Sequence, residues 1–102
     1  MTTEQLIELW NQCDNEHWSE LNRREPKLKF SKRRDLNAFL LLESILPGTK
    51  DYDMVISAEH DQIWLDINLE KLAKKITREQ IVELICCGVF IDEDIKMLSL
   101  NV

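Results

Sequence analysis

Cys13 and His17 stand four residues apart, one helical turn, and His60 lies between Glu59 and Asp61. These come closest to a metal-binding pattern. A structural zinc takes four protein ligands and a catalytic zinc three with a water, yet no second Cys or His pair at ligand spacing accompanies the first. Asp51 with Asp53, or Asp61 with Asp66, offers paired carboxylates, but spacing alone supplies no pocket to perturb a pKa for acid–base work. Cys86 and Cys87 fall near a predicted helix C-terminus, where the dipole raises a thiol pKa and blunts the nucleophile. With Gly48 and Gly88 the only glycines, no Gly-rich phosphate loop can be built, and no Gly-x-Ser-x-Gly elbow occurs. The chain is therefore expected not to be an enzyme, and to use neither metal nor cofactor.

The chemistry that remains is that of binding. Arg23, Arg24, Lys27, Lys29, Lys32, Arg33 and Arg34 place seven of the thirteen basic residues within twelve positions. Such a stretch suits phosphate or an acidic protein surface, and Phe30 within it could stack on a single-stranded base. The plainer reading is a solvated linker, although cations at the start of a helix oppose its dipole. Three tryptophans, Trp10, Trp18 and Trp64, are many for this length, and Trp and Arg are over-represented at binding hot spots. Trp64 falls on the opposite strand face from Ile63, Leu65 and Ile67, so either a helix or a partner should cover it. Asp92, Glu93 and Asp94 form an acidic turn that could meet a basic partner.

These residues need elements to hold them. Leu6, Leu9, Trp10, Cys13, His17 and Leu21 recur at spacings of three and four, which predicts an amphipathic helix over 3–24, with Thr2 and Gln5 forming a capping box. Pro26 ends it. A basic connector runs over 25–34, and Ser31 is placed to cap a second helix reaching about Leu46, apolar nearly all round beyond Asn37, Glu43 and Ser44 and so expected to be buried. Pro47 and Gly48 stop that helix. Met54–Ala58 and Gln62–Ile67 read as a hairpin turned at Glu59-His60-Asp61. A short helix covers Leu69 to about Lys75, and Thr77 with Gln80 opens another that Gly88 ends. Val89–Ile91 and Ile95–Leu100 close the chain as a second hairpin, turned at Asp92-Glu93-Asp94. The expected fold is α+β, with about four helices and two hairpins in the order ααββααββ sharing one small antiparallel sheet.

At 102 residues, 44% hydrophobic and 31% charged, the chain has the composition of one globular domain: an N-terminal helix (1–24), the connector (25–34) and an α+β core (35–102). The net charge is −6, split as +1 over residues 1–34 and −7 over 35–102. The longest apolar run, Ala38–Leu42, is far short of a membrane span. An odd cysteine count and a start without a signal-peptide pattern point to reduced thiols and a cytoplasmic location.

Two resemblances bear on function. Leu72-Ala73, Thr77-Arg78-Glu79-Gln80 and the Leu84–Gly88 stretch, followed by a hairpin, resemble the core of winged-helix DNA-binding domains, which implies a nucleic-acid-binding regulator. Glu79, Glu83 and the acidic turn oppose that reading, because DNA affinity depends on neutralising phosphate. Asp35-Leu36-Asn37-Ala38-Phe39-Leu40-Leu41-Leu42, Ser57 through Leu65, and Cys87-Gly88-Val89 with the final hairpin resemble small uncharacterised proteins of tailed bacteriophages and prophages. That resemblance implies a non-enzymatic protein in the bacterial host cytoplasm that binds and modulates a host macromolecule, with a protein partner favoured over nucleic acid. The contact residues expected are Arg23, Arg24, Lys27, Lys29, Phe30, Lys32, Arg33, Arg34, Trp64, Asp92, Glu93 and Asp94; the oligomeric state is left open.

Overall fold

The computed structural model describes residues 1–19, 26–49 and 51–101, the last four of the first helix by their backbone alone. Its elements follow the order α1 (Thr3–Ser19), α2 (Arg34–Ile45), β1 (Val55–Glu59), β2 (Gln62–Leu65), α3 (Leu69–Ala73), α4 (Arg78–Cys86), β3 (Val89–Asp92) and β4 (Met97–Asn101). The expected ααββααββ order and single antiparallel sheet are therefore present. The strands line up as β1-β2-β4-β3, so the two hairpins join where β2 meets β4. The stretch β2–α3–α4–β3–β4 thus runs as a strand, two helices and a hairpin whose last strand lies between β2 and β3.

Strand alternation sorts the sheet into two faces. Leu65, Leu98 and Ile91 stand in one cross-strand row and Leu100 and Val89 in another, all buried against the helices. On the opposite face Trp64, Ser99 and Phe90 share a row. Leu6, Trp10 and Cys13 of α1 complete the core with Leu42, Leu72, Ile81 and Leu84. Each large apolar side chain contributes roughly 1.5–3 kcal/mol by leaving water. The Trp10 indole N–H is buried with no acceptor among the described residues, a cost set against that gain.

Local chemistry explains the helix starts. Thr2 Oγ1 accepts from Gln5 N at 3.1 Å while Gln5 Oε1 accepts from Thr2 N at 2.9 Å, and Thr77 and Gln80 repeat the same reciprocal box before α4. Asn68 caps α3 by accepting from Lys71 N.

Three expectations need correction. Ser31 does not cap α2: that helix begins after Arg33, and the Ser31 hydroxyl accepts from Arg33 N inside the connector. Nor is α2 buried all round, because Leu36 and Leu40 are exposed whereas the polar Asn37 is 1% exposed. The turns also shift. Asp92 ends β3, and the second turn covers Glu93–Lys96 with Ile95 exposed in it; the first is the two residues His60-Asp61, closed by His60 at φ 54°.

Gly88 joins α4 to β3 at φ +92°, and a Cβ there would lie 3.3 Å from the Asn101 carbonyl oxygen. Gly88→Ala therefore meets both backbone strain and a tight contact. Thr77→Ala removes only a cap, at about 1 kcal/mol. Urea unfolding should rank Gly88→Ala as the more damaging of the two.

Candidate functional site

The basic connector is held in place by two side chains from different helices. Asn37, in α2, accepts at Oδ1 from Phe30 N at 3.0 Å and Ser31 N at 3.4 Å. Its Nδ2 donates to Glu83 Oε2 at 3.0 Å and to Cys87 Sγ at 3.5 Å. The amide has thus used its full hydrogen-bonding capacity, which is the condition under which a buried polar group is tolerated. Glu83, in α4, accepts from Lys27 N at 2.8 Å and Leu28 N at 3.0 Å. Four backbone N–H groups of the connector are thereby fixed to α2 and α4. Leu28 is held at φ 51°, a left-handed conformation that costs a non-glycine residue on the order of 1 kcal/mol.

The clamp floors a groove of about 310 Å³ lined by Lys27, Lys29 and Phe30 of the connector, Asn37 and Leu41 of α2, and Glu79 of α4, among others. Phe30 is exposed, with the Lys29 ammonium 5.8 Å from its ring centroid. Leu36 and Leu40, a turn apart on α2, are also exposed. So are Lys32 and Arg33. The connector and α2 therefore present apolar side chains accompanied by cations. Arg34 acts differently, since its Nη1 donates to the Cys86 carbonyl at 3.3 Å and so places a cation at the C-terminal end of α4, where the helix dipole favours it. That accounts for one of the cations which, on sequence grounds, stood at the wrong end of a helix. Arg23 and Arg24 lie outside the described residues; among the described ones the patch comprises Lys27, Lys29, Phe30, Lys32 and Arg33.

The remaining contact candidates are elsewhere. Trp64 is half-buried among its strand neighbours, and its Nε1 donates to Asp92 Oδ2 at 3.4 Å. Asp92 also accepts from Asp94 N, and Glu93 accepts from Asn11 Nδ2, which ties α1 to the β3–β4 turn. The acidic turn is thus partly engaged within the fold. The clamp of Asn37 and Glu83 was not foreseen from the sequence, where a polar residue within the otherwise apolar Leu36–Leu42 run was the available signal.

Among the described residues no three His, Cys, Asp or Glu side chains are grouped to hold a metal ion. His17's side chain lies outside the described set. Cys13 and Cys87 are buried and Cys86 half-buried. Burial pushes the Cys87 thiol up from its ordinary value and the Glu83 carboxylate adds to this, against the opposing influence of the Asn37 hydrogen bond and Arg34. Burial, not the helix dipole, is the leading cause.

A thiol whose folded pKa lies above its unfolded one stabilises the fold fully below the unfolded pKa and loses that contribution as pH rises through the folded pKa. Cys87→Ala should accordingly flatten the alkaline decline in the urea midpoint relative to the parent chain. Asn37→Ala strands two connector N–H groups and should cost about 2–3 kcal/mol. The same variant should speed trypsin cleavage after Lys27 and Lys29, since the connector loses half its tether.

Comparison with protein-family models, curated proteins and solved structures gives no match to this chain, so its functional reading rests on its own geometry.

Proposed function

We propose that the chain is a non-enzymatic binding module that engages an acidic protein surface through the connector and the exposed side of α2. The observation that carries this reading is the Asn37–Glu83 clamp. Two side chains and a strained Leu28 are committed to shaping a segment whose outward residues are Lys29, Phe30, Lys32 and Arg33. Unusual backbone held in place by its surroundings is a recurrent mark of functional segments. Phe30, Leu36 and Leu40 supply apolar contact area, and the cations around them suit carboxylates on a partner.

Of the two acids lining the groove, Glu83 already accepts three N–H hydrogen bonds, so its carboxylate is engaged in holding the connector. The resemblance of stretches within residues 35–102 to small phage proteins is in keeping with an action by binding, on a macromolecule of a bacterial host. Duplex DNA draws support from the β2–α3–α4–β3–β4 order alone. Against it, α1 packs along α4 and reaches the β3–β4 turn through Asn11, and α4 offers Glu79 beside Arg78.

The test is affinity capture from host lysate with the parent chain and with Lys29→Glu/Lys32→Glu/Arg33→Glu, three exposed changes that leave the clamp intact. A partner should be retained by the parent, released by salt, and bound about tenfold less by the variant. Identical capture by both proteins would refute the reading.

A further inference from the structure

The segments that build the sheet hold almost no cations. Residues 51–67 and 89–101, which comprise the sheet and its turns, carry eight acids against the single Lys96, a net −7, while the rest of the chain stands at +1. Within the sheet, β1 is an outer strand, and all five of its residues are exposed. Val55 is 40% exposed and Ile56 51%, with Tyr52 just before them at 74%. Outer strands are normally blunted by lysine, proline or a covering element, because their unpaired N–H and C=O groups invite another strand. From 51 to 67 there is no lysine, arginine or proline, and among the described residues no strand pairs with the far side of β1. Its one irregularity is a bulge between Val55 and Ser57.

The charges decide what can occupy this edge. Asp51 and Asp53 precede β1, Glu59 is its last residue and Asp61 follows in the turn, all exposed. A second copy pairing antiparallel about Ser57 would bring Asp53 of each chain against Asp61 of the other, and like charges set opposite each other destabilise a strand pair. An extended segment carrying lysine or arginine gains at both ends instead. We infer that β1 accepts, by strand addition, an extended basic segment of another protein, with backbone hydrogen bonds supplying affinity and Asp51, Asp53, Glu59 and Asp61 selecting for positive charge. This surface lies on different elements from the connector patch, and the inference does not depend on it.

The probe is the peptide acetyl-Lys-Val-Lys-Val-Lys-Val-Lys-amide, titrated calorimetrically into the full chain at low salt. Two further peptides are compared with it, one with glutamate in place of lysine and one methylated on every internal backbone nitrogen. The lysine peptide should bind with one-to-one stoichiometry, and both others about tenfold more weakly. Asp53→Lys/Glu59→Lys/Asp61→Lys, all surface changes whose folding is checked by circular dichroism, should reverse the preference between lysine and glutamate peptides. Equal binding of the methylated peptide would reduce the effect to charge attraction and overturn strand addition. Absence of lysine-peptide binding, or sedimentation showing a dimer broken by substitutions in β1, would overturn the inference as well.

Discussion

The structure depends on a single buried amide. Asn37 sits in α2 where its helical neighbours on that side are apolar, and it is tolerated there because all four of its hydrogen-bonding positions are filled. Through it the connector, α2, α4 and the Cys87 thiol become parts of one network. Glu83 closes that network from the other side. Because the amide and the carboxylate bond to backbone N–H groups, the connector is held by its main chain, and the side chains of Lys27, Lys29, Phe30, Lys32 and Arg33 are left exposed.

That arrangement explains why α2 looks misassigned when read by hydrophobicity alone. Leu36 and Leu40 belong to a run of seven residues that contains one polar side chain, and the natural inference puts the leucines inside and Asn37 outside. The fold reverses both, since the connector's unpaired N–H groups need a buried acceptor and α2 has only one side turned toward α4. No periodicity rule carries information about a backbone segment seven residues upstream. The elements themselves were legible, since capping pairs such as Thr2 with Gln5 and Thr77 with Gln80 act within one turn, and strand alternation at Ile63 and Leu65 acts within one hairpin. The β2–β4 pairing depends on contacts between distant segments, and the sequence holds no local sign of its register.

The candidate site divides in the same way. Its cations were visible as a run, because charge needs no partner to be counted. Their separate roles were not: Arg34 turns back to the end of α4, while Lys29, Lys32 and Arg33 stay outside. Trp64 was correctly placed on the face of the sheet away from the core, yet its indole N–H is answered by Asp92 and not by a helix. The acidic turn proved to be bound in part to α1, which only the folded arrangement could bring within reach of Glu93.

The pairing of β2 with β4 joins segments far apart in sequence, Leu65 with Leu98 and Gln62 with Asn101. Each hairpin can form by itself, but the four-stranded sheet closes only after α3 and α4 have carried the chain back to β2. A sheet completed by such a non-local pair is expected to fold more slowly than its separate hairpins, because the long loop must be closed before the pairing stabilises it.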